Sequence, residues 1–288
     1  MKSGIKRRTA AAVTVMSAVT ALVVASPGNS SAVPAADSLR AYGISADGTL
    51  MATFTTDRPQ VLDWVRTVTG LSGDASLAGI DFRVQDKTLY GVGDKGGIYT
   101  ITMPPVTEDV VVKKVSQLEV VLYGTNFGVD FNPAADRLRV ISDNGQNLRH
   151  NLADHSTIED TTLTTPPATG PAKGVTAAAY TNNDLNADTA TTLFDINTTT
   201  DQNVIQSPAN EGKLAATGAL GVDAAANAGF DIFSDLTSGK TTSVTGFAAL
   251  GNGSVSKLYT VNLFTGATAA VGQFPLNITD IAVALDTN

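Results

Sequence analysis

The 288-residue chain carries 19 basic and 27 acidic residues, two histidines and no cysteine. The missing thiols exclude a disulfide framework, a thiolate zinc site, a catalytic cysteine and a lipobox, and two imidazoles leave little material for catalytic triads or metal clusters. With 16% charged residues, the chain is long enough to bury a real core in one large domain or two small ones.

Residues 1–36 read as a bacterial secretory signal followed by a short flexible segment. Lys2, Lys6, Arg7 and Arg8 form its basic start, Ala10 to Val24 its apolar middle and Ser26 to Ala36 its small-residue end. The apolar run, about 15 residues, falls short of the roughly 20 that a membrane span needs. Arg7-Arg8 is not followed by Phe-Leu, so general export is expected over the twin-arginine route, with cleavage after Ala32 or, as the rival, Ala25. Removal takes four cations and no acid, leaving 15 basic against 27 acidic residues, a formal charge of −12. Such a surface repels nucleic acid and offers no basic patch to an anionic membrane. A secreted, monomeric domain over residues 37–288 is expected, with an extracellular ligand or protein as its partner.

Self-comparison of that domain finds a period. Gly79-Ile80-Asp81-Phe82 returns as Gly128-Val129-Asp130-Phe131, then more weakly around Ala179, at Gly229-Phe230-Asp231-Ile232 and at Asp280-Ile281. Positions 81, 130, 179, 231 and 280 are separated by 49, 49, 52 and 49 residues, which makes five units of about 50 residues. In chain order, Leu39 to Ser45 and Thr49 to Phe54 begin a unit that lacks its inner strand. Pro59 to Gly70, which would also suit a helix, supplies its outer one. Ala78 to Arg83, Thr88 to Val92, Gly97 to Thr102 and Val110 to Val115 make a four-stranded meander. Phe127 to Phe131, Arg137 to Ile141, Asn147 to Asn151 and Thr157 to Leu163 repeat it, with Asp143-Asn144-Gly145 as a hairpin signal. Thr279 to Ala284 is an inner strand with nothing after it. The pattern predicts an all-β propeller of about five four-stranded blades, closed by pairing the last strand with the first blade. A β-sandwich or an open β-solenoid is the rival.

Asp130-Phe131-Asn132-Pro133, Asp136-Arg137-Leu138-Arg139 and Gln146-Asn147-Leu148-Arg149, together with Gly79 to Arg83, Leu89-Tyr90-Gly91, Ala179 to Asn183, Gly218 to Val222 and Leu258 to Leu263, resemble the bacterial domain-of-unknown-function family numbered 4394. The resemblance implies an exported, propeller-like domain and no activity.

Several residues invite a functional reading. Asp81, Asp130, Asp231 and Asp280 would ring the axis, where carboxylates could hold Ca²⁺ or Mg²⁺ or accept backbone N–H groups from neighbouring blades. Asp184, Asn186, Asp188 and Asp195 resemble half of a calcium loop, but Thr189 stands where the EF-hand needs glycine and no helical pattern flanks it. Arg137, Arg139 and Arg149 form either a cationic cluster for a carboxylate or phosphate, or clamps on Asp130, Asp136 or Asp143. A three-residue turn sets Arg139 opposite Arg149; a two-residue turn sets it opposite His150. Arg83, Asn132, Asn182 and Asn183 follow the inner strands as a polar rim above an aromatic level of Phe82, Phe131 and Tyr180. No Gly-x-Ser-x-Gly elbow or recognisable triad occurs. A non-catalytic binding domain is therefore the leading expectation, with a metal-assisted hydrolase or lactonase at the axis as the alternative.

Overall fold

The computed structural model describes residues 38–288; the expected signal segment lies outside the described residues. Short apolar runs parted by turn residues become twenty strands, and a three-residue 3-10 turn, Ala209–Glu211, is the one helical element among the described residues. No helix there is long and apolar enough to cross a membrane.

The chain begins with β1 (Arg40–Ser45), β2 (Leu50–Thr55) and β3 (Trp64–Thr69), followed by the meander β4 (Leu77–Arg83), β5 (Thr88–Gly93), β6 (Gly97–Thr102) and β7 (Val110–Gln117). Next come β8 (Phe127–Asn132), β9 (Arg137–Ser142), β10 (Asn147–His150) and β11 (Thr157–Glu159). They precede β12 (Val175–Tyr180), β13 (Leu193–Asn197), β14 (Gln202–Gln206) and β15 (Leu214–Ala219). The last sheet is β16 (Gly229–Thr237), β17 (Lys240–Gly251), β18 (Ser256–Val261) and β19 (Thr268–Gln273), and the chain returns as β20 (Ile278–Val283). The strand expected over Pro59 to Gly70 forms, and the one expected to reach Leu163 stops at Glu159.

The last strand pairs antiparallel with the first, Tyr42 opposite Ala282 and Gly43 opposite Ile281. That gives a four-stranded unit β20-β1-β2-β3, as the incomplete ends of the sequence require. The outer strands β3 and β7 also pair in parallel, Val68 with Val110 and Thr69 with Val111, so the first two meanders share one eight-stranded sheet. The chain turns at Gly70, where φ is 94° and a Cβ would lie 2.4 Å from the Val112 carbonyl oxygen, so only glycine lets the two edges meet.

Buried clusters separate successive sheets. Tyr90, Phe127, Val129 and Phe131 pack between the second and third meanders, Ile141, Ala178, Tyr180 and Leu193 between the third and fourth, and Phe54, Phe247, Phe274 and Ile281 between the last sheet and the first. The repeated glycine two places before the aspartate has a steric cause. A Cβ on Gly128 would lie 2.6 Å from the Ala178 nitrogen and one on Gly229 2.5 Å from the Asp280 Cα, because inner strands of adjacent sheets approach to backbone contact.

Candidate functional site

The inner strands β4, β8, β16 and β20 each aim their aspartate inward, and all four side chains are buried. Asp81, Asp130 and Asp231 bring carboxylate oxygens within 4.8 Å of one another. Each aspartate accepts a backbone N–H from a neighbouring strand. Ile80 N donates to Asp280 Oδ2 at 2.7 Å, Phe131 N to Asp81 Oδ2 at 2.7 Å, Tyr180 N to Asp130 Oδ1 at 3.0 Å and Val283 N to Asp231 Oδ2 at 2.5 Å. At Ala179 no carboxylate is present to reach β16, and Ile232 N turns to its own neighbour, Asp231 Oδ1, at 2.6 Å. Burial pushes all four carboxyl groups above the ordinary range, Asp231 to about 6. The Asp231 charge adds to the shifts of Asp81, Asp130 and Asp280. A raised pKa disfavours the ionised form that a cation ligand needs.

The rim residues separate. Arg83 is clamped by Asp136 through Nε at 2.8 Å and Nη2 at 2.7 Å, and by Asp86 at 2.5 Å. Asn132 Oδ1 caps the following turn by accepting Ala134 N and Ala135 N. Asn182, at φ 64°, donates its amide to the Ala190 carbonyl. The Asn183 backbone N–H and side-chain amide bind Ser234 Oγ and the Ile232 carbonyl. The three aromatics do not form one floor: Phe131 packs edge-on against Tyr90 at 5.2 Å, and Phe82 lies against Tyr42 at 5.8 Å.

The calcium-loop residues are likewise dispersed. Asp184 Oδ2 accepts the Thr241 backbone N–H at 2.8 Å and its hydroxyl at 2.6 Å, and Oδ1 accepts Asn186 N at 2.9 Å. Asn186 Oδ1 accepts Asp188 N at 2.9 Å. Asp195 sits opposite Ala178 and Val204 within the fourth meander, β12–β15, fully buried, with neither carboxylate oxygen partnered. Burial raises its pKa well above the ordinary range, and the Arg139 charge acts against that.

The turn after β9 sets Val140 opposite Leu148 and Arg139 opposite Arg149. Asp160, just past the short β11, answers both guanidinium groups. It takes Arg139 Nη1 at 2.7 Å and Arg149 through Nε at 2.6 Å and Nη2 at 2.9 Å. Arg137 instead bonds the carbonyls of Ala135 and Asp136. Arg139 is 2% exposed and donates further to Tyr180 Oη at 3.2 Å, Asn147 Oδ1 at 2.8 Å and Asn210 Oδ1 at 2.8 Å. Thus the buried cation is neutralised and holds, besides Asn147, the side chains of Tyr180 and Asn210.

Both Tyr180 and Asn210 line a cleft of about 320 Å³ between the third and fourth meanders, with Asn132, Thr191, Thr192 and Gln206 among its other walls. No charged side chain lines it. Gln206 is buried; its amide nitrogen donates to Asn147 Oδ1 and to the Ala209 carbonyl, while its Oε1 has no partner. Asn132 enters this cleft, whereas Asn183 lines a separate, smaller one of about 170 Å³ with Leu185, Leu236 and Leu285.

The family described as a domain of unknown function (DUF4394) matches residues 50–282. The chain belongs to this family. No curated protein matches it. Among solved structures, the DUF4394 chain is similar to a structural-genomics protein of unknown function from Bacteroides thetaiotaomicron VPI-5482, at TM-score 0.49 and 14% identity, covering 83% of this chain and 64% of that one. It is also similar to a chain of the nidogen/laminin complex (TM-score 0.46, 11% identity, 85% and 84% covered). A third is Myxococcus xanthus glutaminyl cyclase (TM-score 0.44, 11% identity, 83% and 95% covered). In this DUF4394 member, sequence reasoning missed Asp160, Tyr180 as a cleft wall, Gln206 and Asn210. Loop residues after β14 carry no motif, and only the Arg139–Arg149 register pointed toward a shared counter-ion.

Proposed function

We propose that the chain is an exported, monomeric, non-catalytic binding domain whose ligand is a small neutral polyhydroxylated molecule, a sugar or a glycan end, seated in the cleft between β8–β11 and β12–β15. The observation that carries this reading is the cleft's lining. Hydroxyls of Thr191, Thr192 and Tyr180 and amides of Asn132, Gln206 and Asn210 present donors and acceptors without charge, and the unpartnered Gln206 Oε1 invites a hydroxyl donor. A carboxylate or phosphate would need a free cation, and Arg139 is already paired with Asp160.

We read the scaffold as a closed propeller of five blades. The β20–β1 pairing supports closure. So do the carboxylate links from Asp280 to Ile80, Asp81 to Phe131, Asp130 to Tyr180 and Asp231 to Val283, which stitch every inner-strand step except that from β12 to β16. In this reading the axial aspartates are clasps, each occupied by a backbone N–H of a neighbouring strand. Ca²⁺, or the metal of a hydrolase or lactonase, would require them ionised, which their burial opposes.

Thermal shift and titration against neutral and acidic saccharides test the ligand class. Saturable binding of a neutral member, lost in Thr191→Trp, supports it. Binding confined to acidic members, or to none, overturns it, and turnover of an ester or lactone panel that chelation stops would establish the hydrolase instead.

A further inference from the structure

The cleft leaves both histidines of the chain unused, and they meet at one oxygen. His150 Nε2 and His155 Nδ1 each lie 2.8 Å from Ser116 Oγ. Ser116 comes from β7 of the second meander, His150 ends β10 of the third, and His155 sits in the exposed turn before β11 with φ 63°. The other nitrogen of His150 is held by the Thr157 hydroxyl at 2.9 Å. That hydroxyl accepts Glu119 N at 3.0 Å, while Thr157 N donates to the Glu119 carboxylate at 3.1 Å.

We propose that His150 Nε2, His155 Nδ1 and Ser116 Oγ form a site for one late divalent transition-metal ion, Cu²⁺ or Zn²⁺, joining the second and third meanders. Imidazole nitrogen is the donor these ions prefer, whereas Ca²⁺ and Mg²⁺ seek carboxylate and carbonyl oxygen. A ligating histidine is normally fixed through its second nitrogen by a hydrogen-bonding group, the position that Thr157 holds on His150. Burial, followed by the neighbouring His155, lowers the His150 pKa to about 4. The charges of Glu119 and Asp154 act on His150 in the cation-favouring sense.

The geometry asks for little movement. With bonds of about 2.1 Å at tetrahedral angles, ligand atoms stand about 3.4 Å apart, roughly 0.6 Å wider than the present contacts. His155, on its exposed turn, supplies that shift for its own contact, and the buried His150–Ser116 pair must part by the same amount. Water would complete the ion's shell.

The test is calorimetric titration of the untagged full chain with Cu²⁺ and with Zn²⁺ at neutral pH, joined to electron paramagnetic resonance of the equimolar Cu²⁺ complex. One equivalent and coupling to two imidazole nitrogens are expected. His155→Ala, whose side chain is exposed, should keep the melting temperature of the free protein, weaken binding at least about 10-fold and remove one nitrogen coupling. His150→Gln should remove the other; should that variant fail to fold, His155→Ala alone decides. Unchanged affinity in His155→Ala, a spectrum with oxygen ligands only, or absence of binding by the unaltered chain overturns the site.

Discussion

Removing Asp160 should damage the domain far more than its place beyond a three-residue strand implies. Its carboxylate is 5% exposed and neutralises Arg139, which is 2% exposed, while Arg149, bonded to both of its oxygens, is 28% exposed. Asp160→Ala would leave Arg139 with the neutral acceptors Asn147, Asn210 and Tyr180 but no opposite charge, and stranding a buried ion this way costs about 3–5 kcal/mol. For a domain of this size, that corresponds to a melting temperature lower by roughly 6–20 °C. Arg149→Ala breaks the same carboxylate's half-solvated contact and should cost no more than about 1 kcal/mol. Asp195, on which Arg139 acts electrostatically, can relieve the strain by ionising, so Asp160→Ala with Asp195→Asn should be less stable than the sum of the single variants. Urea unfolding of the four proteins measures these differences. Equal losses for Asp160→Ala and Arg149→Ala, or strict additivity with Asp195→Asn, would refute the reasoning.

The axial carboxyls make stability depend on pH. Because the folded Asp231 pKa is raised from 3.8 to about 6, its contribution is fully present below the unfolded value and is lost as pH rises through the folded one; Asp231→Asn should flatten the stability profile between about pH 4 and 6, and an unchanged slope would discount the shift. Chelation with EGTA should leave the melting temperature unmoved, whereas a drop restored by Ca²⁺ would make the axis a cation site. Asn132→Ala frees two turn N–H groups and should lose about 1 kcal/mol, read by denaturant titration against the parent; no loss would deny the cap. Deleting residues 278–288 removes the buried Ile278, Ile281 and Val283 and exposes the edge of β1; a truncated chain that melts with the parent would contradict closure.

The architecture was legible because its constraint repeats. On β4, β8 and β16, close approach to the next inner strand demands glycine and the aspartate two places on finds a neighbouring N–H, so Gly-x-Asp recurs at multiples of about 50 residues; on β20 Asp280 keeps the link although Ile278 stands in the glycine's place. Where Ala177 and Ala179 replace both residues, the motif fades and so does the carboxylate link. The parallel pairing of β3 with β7 left no such mark, since an outer edge of valines reads alike whether it faces water or another edge. The Arg139–Arg149 register was foreseen as one of two turn lengths, but its counter-ion was sought in Asp130, Asp136 and Asp143, because the sequence carried the strand past Asp160. The cleft and the histidine pair are assembled from loops on different sheets. Tertiary contact brings Gln206 to Asn147 and Ser116 to His150, and no local spacing records either.

The most direct measurement is titration of a neutral saccharide panel into isotopically labelled protein, following backbone and side-chain amide ¹H–¹⁵N resonances. The account predicts saturable shifts for the side-chain amides of Asn132, Gln206 and Asn210 and the backbone of Thr191 and Thr192, with the axial aspartate strands undisturbed. Shifts centred on Asp81, Asp130 and Asp231, or none with any neutral sugar, would contradict it.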